Sequence, residues 1–229
     1  KEVSFFTNGN AAKFIINKAK PKQVAVLHDK QSYGQGIAAS VRDELKKANV
    51  EVALFEGINA GDSDYSAVIT KLKSAGADFV YYGGYHPEMG LLLRQAAEQG
   101  LKVRMMGPEG VGNPEINAIA GNAFDCMPVT LPADPASKPE NAALVKAFKD
   151  KGRDPSGAFQ MGAYTATQVL AQSIKAVGDD AEKVADYLHK TTFNMPTGNV
   201  AWDAKGDLKA FDFPVYSWHK DGSKSVAEK

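Results

Sequence analysis

Two tyrosines and one carboxylate are the side chains of this sequence best suited to hold a small charged molecule. Tyr33, Tyr85 and Glu109 each follow a short apolar run of the chain. A carboxylate can pair with an ammonium group, and tyrosine rings bury apolar surface and attract cations to their faces. Glu109 stands between Gly-Pro and Gly-Val, which is typical of a rigid turn. Together the three indicate a site for a small zwitterion, although each alone also fits an ordinary loop residue.

Patterns for catalysis and metal binding are weaker. The pair His28-Asp29 could form half of a proton relay, but no activated serine or cysteine lies near it in the sequence. The four histidines show no ligand spacing among themselves or with the single cysteine, Cys126. We therefore expect no metal, no cofactor and no enzyme activity. Cys126 is predicted to be a small buried hydrophobic residue, and His86 to cap the helix that follows it.

A glycine pattern offers a weak alternative. Residues 34–39 match the Gly-x-Gly-x-x-Gly/Ala pattern of dinucleotide-binding sites, with Glu56 about twenty residues further on. That pattern requires its first glycine in a tight turn directly after a strand, and here residues 28–33 intervene. Dinucleotide binding is therefore disfavoured.

The elements that must position these side chains alternate between strand and helix in the first half of the chain. Apolar runs rich in β-branched or aromatic residues predict parallel strands near residues 23–28, 51–55, 78–82 and 103–106. Amphipathic segments between them predict helices. This alternation indicates the α/β class, with a Rossmann-like parallel sheet and right-handed crossovers. Ligands of such sheets bind beyond the carboxyl ends of the strands, which is where Tyr33, Tyr85 and Glu109 fall.

The pattern changes after residue 125. A stretch rich in proline, aspartate and serine is followed by three helical segments, near residues 139–151, 157–177 and 180–190, so we predict a partial second lobe that is mostly helical. Strands are predicted at 198–202 and 213–218, before a frayed and solvated lysine-rich tail. The boundary is placed near 128–135. No predicted sheet is available to pack against the apolar faces of these three helices. This suggests that a further segment of the protein, or a second copy of the chain, covers them.

Composition excludes some classes of partner. Lys+Arg and Asp+Glu both number 27, so the formal net charge is zero and does not favour nucleic acid or an anionic membrane surface. No apolar run approaches the ~20 residues of a membrane-spanning helix. The sequence begins with neither a methionine nor a signal peptide, and we therefore expect a processed, excised or engineered chain.

Five segments closely resemble the leucine/isoleucine/valine-binding proteins of Gram-negative bacteria. They are HDKQSYGQG (28–36), FVYYGGYHPEMG (79–90), MGPEGVGN (106–113), DPSGAF (154–159) and WDAKGDLK (202–209). The likeness runs from about residue 11 to residue 220. It implies a type I periplasmic binding fold with two Rossmann-like lobes, and a periplasmic receptor that delivers leucine, isoleucine or valine to the membrane permease of an ABC importer.

The resemblance also implies roles for individual residues. Tyr33 and Tyr85 match aromatic residues that line the family's pocket, and Glu109 matches the carboxylate that binds the α-ammonium group of the ligand. Gly110 is placed in the same ligand-binding set. Phe159, at the start of a helix in the other lobe, matches a contact to the ligand's side chain.

Departures from the family pattern limit these implications. The sequence divides into a non-matching segment (1–10), a ligand-binding lobe (11–128), a helical return into the first lobe (129–197) and closing strands with a tail (198–229). Roughly the first third of the family's length is not represented, and residues 1–10 look like a shortened or replaced hinge strand. Cys126 and Pro128 stand where the family's second hinge strand usually has glycine and an aliphatic residue. Because proline has no N–H, we expect Pro128 to weaken a sheet interior.

The unrepresented third supplies the family's groups for the ligand's α-carboxylate. We therefore expect this chain alone to bind leucine no more tightly than about millimolar. The alternative is a receptor-fold fragment that no longer binds or transports and instead acts as a scaffold or oligomerising module.

Overall fold

The computed structural model describes residues 3–155, 157, 159–211 and 213–228. Backbone contacts divide the chain into two compact units. The first contains Lys1–Leu131 and Phe213–Lys229, and the second contains Pro132–Asp212. The four domain limits expected from the sequence stay a prediction.

A four-stranded parallel sheet forms the centre of the first unit. Its strands are β1 (Val24–His28), β2 (Val52–Gly57), β3 (Phe79–Gly83) and β4 (Arg104–Met106), in the order β2-β1-β3-β4. The inner strands β1 and β3 are buried along their whole length, which explains why their sequences are continuously apolar rather than alternating. The predicted α/β class and parallel sheet are confirmed.

Helices flank this sheet. They are α1 (Val3–Phe14), which continues as a π-helical segment (Ile15–Ala19), α2 (Ser32–Lys47), α3 (Ser66–Ser74), α4 (His86–Glu98) and α5 (Glu115–Ala120). Ile37, Val41 and Leu45 recur at i, i+4 and i+8 of α2 and are buried in the core beside β1 and β3. Residues 3–10 are helical and contain no hinge strand, because α1 continues without a break into Phe14 and Ile15, which are anchored in the same core.

A second, antiparallel sheet completes the first unit. Its strands are β5 (Met127–Thr130), β8 (Val215–Trp218) and β9 (Lys224–Glu228), in the order β5-β8-β9. The prediction of a frayed end is therefore wrong for residues 224–228, which form a strand paired with β8. Ser225 and Val226 of this strand are exposed, as expected for a solvated end. Charged residues are common on edge strands, where they face solvent without loss of pairing, and this explains how a lysine-bearing end can still be ordered.

Pro128 lies within β5 and does not interrupt the pairing with β8. Its carbonyl oxygen accepts from the Gly107 N–H (3.4 Å), and the Thr130 N–H donates to the Gly107 oxygen (3.2 Å). The backbone groups of residues 128 and 130 thus face Gly107 and turn away from β8. The missing proline N–H falls on that same side, so the pairing of β5 with β8 loses no hydrogen bond to it. The expected weakening of a sheet interior stays a prediction.

The second unit combines three helices with a hairpin. The helices are α6 (Ala142–Lys149), α7 (Gln160–Val177) and α8 (Ala181–Lys190), and the hairpin joins β6 (Phe193–Met195) to β7 (Gly198–Val200). The three predicted helices are confirmed. The hairpin gives α7 a small sheet to cover, because Val169 packs against Phe193 and Met195. None of the helices in the described part of the chain combines the length and the apolar character of a membrane-spanning segment.

Candidate functional site

Three segments that follow β1, β3 and β4 meet at the carboxyl edge of the parallel sheet. Tyr33 lies in the first turn of α2, Tyr85 directly precedes α4, and Glu109 opens a short 3-10 turn. The rings of Tyr33 and Tyr85 stack with their centroids 5.2 Å apart and their planes inclined by 29°. The Gly110 N–H donates to the Tyr33 hydroxyl over 3.3 Å. Four of the five site residues singled out in the sequence therefore lie together, with the tyrosines stacked on each other rather than standing as two separate walls.

Gly110 is a glycine because the Gly84 carbonyl oxygen leaves no room for a β-carbon, and both tyrosine rings crowd the same space. A β-carbon there would lie 2.6 Å from the Gly84 carbonyl oxygen, 3.1 Å from Tyr85 Cδ1 and 3.3 Å from Tyr33 Cε1. Real β-carbons do not approach backbone oxygen so closely. The close approach of this turn to both rings thus depends on residue 110 having no β-carbon.

Glu109 carries a charge that is incompletely matched by its surroundings. Burial raises the pKa of Glu109 above its ordinary value, while the hydrogen bond from Tyr33 lowers it. Burial, with the nearby Glu109 charge, raises the pKa of Tyr33 far above its usual range, so this hydroxyl stays neutral and can donate. Glu109 Oε2 is buried and has no hydrogen-bond partner among the described residues. A buried carboxylate oxygen without a partner is costly, and a ligand cation would relieve that cost.

Tyr81 is a neighbour of this site that sequence reasoning took only as part of a strand. It is fully buried in β3, and its hydroxyl has no partner among the described residues. Burial raises the pKa of Tyr81 well above its ordinary value, and the proximity of Tyr33 and Glu109 adds to the effect. The only sequence signal was a polar hydroxyl inside an otherwise apolar run.

Phe159 belongs to the second unit. It directly precedes α7, and 60% of its surface is exposed. Its proposed contact with a ligand side chain stays a prediction.

The two weaker chemical patterns have structural explanations. His28 Nδ1 accepts from the Lys30 N–H (3.1 Å) and Asp29 Oδ1 accepts from the Gln31 N–H (2.9 Å), so each side chain holds the loop after β1. In place of a tight dinucleotide turn, Gly34 lies inside α2, where it packs closely against the end of β3 at Gly83.

Two further expectations are wrong. His86 does not cap α4, because it already lies within the helix, and its Nε2 lies 3.2 Å from Glu115 Oε2. Cys126 is exposed, not buried. Cys126 directly precedes β5 and has a left-handed backbone conformation, with φ 57°. Its side chain therefore does not follow the in-and-out alternation of side chains along β5, and it lies near His219.

Comparison with known proteins points to one family. A sequence profile described as periplasmic binding protein matches residues 7–223. The leucine-, isoleucine-, valine-, threonine-, and alanine-binding protein of Pseudomonas aeruginosa is 57% identical over 216 residues, which cover 94% of this chain and 58% of that protein. The Leu/Ile/Val-binding protein of Escherichia coli (strain K12) is 47% identical over 218 residues, covering 95% and 59%. The chain thus spans less than two thirds of the length of these relatives.

Solved structures agree on the fold. The leucine binding protein LivK of Thermotoga maritima matches with a TM-score of 0.86 and 28% identity, over 98% of this chain and 65% of that one. The branched-chain amino acid transporter substrate binding protein LivJ of Streptococcus pneumoniae, in complex with isoleucine, matches with a TM-score of 0.76 and 22% identity, over 93% and 65%. The second likeness speaks for the fold alone.

Proposed function

The chain belongs to the periplasmic binding protein family, and from this premise we propose that it carries the ammonium-binding half of a receptor site for leucine, isoleucine or valine. The receptor acts in the periplasm and delivers its ligand to the membrane permease of an ABC importer. The names of the relatives support the ligand class. The proposed role is binding and release without chemical conversion of the ligand.

The unpartnered oxygen of Glu109 is the observation that carries this proposal. A carboxylate whose Oε2 is buried and lacks a partner among the described residues suits an ammonium group. The stacked Tyr33 and Tyr85 beside it offer aromatic faces to the same cation and apolar surface to an aliphatic side chain. Tyr85 is 46% exposed, so this surface is accessible from solvent.

A pair of matched ligands tests the proposal. We expect leucine to shift the backbone amide NMR signals of Tyr33, Tyr85, Glu109 and Gly110 in a saturable manner. The analogue 4-methylpentanoate has the same side chain and carboxylate but no ammonium group, and is expected to leave these signals unchanged. Equal shifts with both ligands would show that Glu109 does not recognise the ammonium group, and the proposed site would be wrong.

Leucine affinity is expected to fall as the pH is lowered towards the pKa of Glu109, because only the carboxylate form pairs with an ammonium group. Burial raises that pKa above the ordinary value of 4.5, so the loss begins at a higher pH than for an exposed glutamate. The same shift means that the folded state binds this proton more tightly than the unfolded state. The contribution of Glu109 to stability is therefore greatest at low pH and falls as the pH rises through its folded pKa.

The measurement is the dissociation constant of leucine between about pH 7 and about pH 4.5, spanning the ordinary glutamate range. Glu109→Gln serves as the control, and its weaker binding is expected to be flat over this window. A parallel decline in both proteins would assign the pH dependence to another group.

A second candidate function is self-association through α7. Leu170 and Ile174 of this helix are 49% and 46% exposed, whereas Val169 faces the hairpin and is buried. Sedimentation velocity over a range of concentrations tests this role. A monomer at all concentrations would remove it, and a dimer dispersed by Leu170→Lys would support it.

A further inference from the structure

Strand pairing brings together three side chains that are distant in sequence. Met127 of β5 pairs with Trp218 of β8 in an antiparallel register. The residues that flank this pair, Cys126 and His219, therefore leave the sheet at the same end, and Asp125 adjoins them. The three offer a carboxylate, a thiol and an imidazole whose ligating atoms all lie within 4.8 Å of one another.

We propose that Asp125, Cys126 and His219 form a binding site for a thiophilic divalent cation, with Zn²⁺ as the expected ion. Cys126 Sγ lies 3.3 Å from His219 Nδ1, and the same nitrogen lies 3.6 Å from Asp125 Oδ1. Tetrahedral zinc bonds sulfur at about 2.3 Å and nitrogen or oxygen at about 2.0–2.2 Å, which places neighbouring ligand atoms about 3.3–3.6 Å apart. An S···N edge of such a tetrahedron is about 3.5–3.6 Å and an N···O edge about 3.3–3.5 Å, so each measured separation lies within about 0.3 Å of its own edge.

The imidazole is oriented for ligation through Nδ1. His219 Nε2 lies 3.1 Å from Ser225 Oγ, a hydroxyl that can accept the Nε2 proton. That tautomer leaves the Nδ1 lone pair free to bind a metal, as outer hydrogen bonds commonly do for metal-binding histidines. The His219 N–H also donates to the Ser223 carbonyl oxygen (2.9 Å), so the turn between β8 and β9 holds the residue in place.

The carboxylate and the thiol are also held towards the imidazole. Asp125 Oδ1 accepts from the backbone N–H groups of Cys126 (3.1 Å) and Lys220 (3.3 Å). Because the backbone of Cys126 is left-handed, its side chain does not follow the in-and-out alternation of the β5 side chains. Its Sγ lies against His219 Nδ1.

The donor set decides which ions fit. A thiolate with an imidazole and one carboxylate favours Zn²⁺ or Co²⁺ over Mg²⁺ or Ca²⁺, which prefer oxygen ligands alone. Asp125 and Cys126 are exposed, so water can complete a fourth coordination position. Binding converts the Cys126 thiol to a thiolate and releases its proton to solvent.

Cobalt titration of the whole chain, kept reduced by a phosphine, tests the site. We expect about one equivalent of Co²⁺ to produce a near-ultraviolet thiolate-to-cobalt absorption band together with visible bands of tetrahedral intensity. Zn²⁺ added afterwards should remove both. Cys126→Ser is expected to abolish the near-ultraviolet band. His189→Ala, which removes an exposed histidine from α8, is the matched control and should leave the spectrum unchanged.

The hydrogen bond between His219 and Ser225 allows a second test, in which Co²⁺ affinity is weakened and not abolished. Ser225→Ala is expected to weaken Co²⁺ binding about 10- to 100-fold, as is typical when an outer partner of a histidine ligand is lost. Circular dichroism of each variant verifies folding. The proposal is overturned if Co²⁺ gives no thiolate band with the folded wild-type chain, or if Cys126→Ser and His189→Ala titrate alike.

Discussion

Replacing Glu109 with glutamine is expected to weaken leucine binding by about 10- to 100-fold. A hydrogen bond to a charged group contributes about 1.5–3 kcal/mol, and the substitution removes the charge while it preserves the size and the planar shape of the side chain. Glutamine also retains an oxygen that can accept from the Tyr33 hydroxyl. The loss therefore reports the ammonium–carboxylate interaction and not a collapse of the turn at residues 109–111.

The expected dissociation constant of leucine determines which method can measure its binding. Burial of a leucine side chain contributes about 1.5–3 kcal/mol, and one charge-assisted hydrogen bond a similar amount. Their sum is close to the roughly 4 kcal/mol of a millimolar complex and well below the roughly 8 kcal/mol of a micromolar one. Titration followed by amide chemical shifts is suited to this range.

Glu98→Gln is the matched control for Glu109→Gln. Glu98 ends α4, and its side chain is 64% exposed. The same change of charge there should leave leucine affinity within about twofold, because exposed charges are strongly screened by solvent and salt. Micromolar binding that neither substitution alters would mean that the chain recognises leucine elsewhere.

The parallel sheet and its rim were predictable because they rest on short-range patterns. β1 and β3 are inner strands buried on both faces, and burial of that kind selects the continuous apolar runs seen at residues 24–28 and 79–83. Loops after parallel strands must emerge at one edge. Tyr33, Tyr85 and Glu109 could therefore be placed together from the sequence order of strands and loops alone.

The Asp125, Cys126 and His219 cluster could not be predicted, because it depends on a long-range register. Cys126 and His219 are 93 residues apart, and the pairing of β5 with β8 brings them into contact. Neither strand is long enough for its partner to be inferred from its own periodicity. The positive φ of Cys126, which exposes the thiol, has no signal in the identity of the residue itself.

Two glycines in α2, two residues apart, are expected to respond to alanine with opposite signs. A β-carbon at Gly34 would lie 2.5 Å from the Gly83 carbonyl oxygen and would also clash with Asp29 Oδ1, whereas nothing lies within 4 Å of a β-carbon at Gly36. The Gly83 oxygen is fixed in the sheet because it accepts from the Asp29 N–H over 3.1 Å. α2 must therefore shift away from β3 to accommodate Gly34→Ala.

Overpacking of this kind costs about 1–3 kcal/mol, and the shift of backbone against backbone places Gly34→Ala at the upper end of that range. Gly36→Ala should instead stabilise the protein by about 0.5–1 kcal/mol, because alanine has less conformational freedom to lose in a helix. For a chain of this size we expect the melting temperature to fall by about 6–12 °C in the first variant and to rise by about 1–4 °C in the second. Both can be read from thermal unfolding followed by circular dichroism at 222 nm. A rise in both variants would mean that helix propensity dominates at residue 34 and that α2 and β3 are not in close backbone contact.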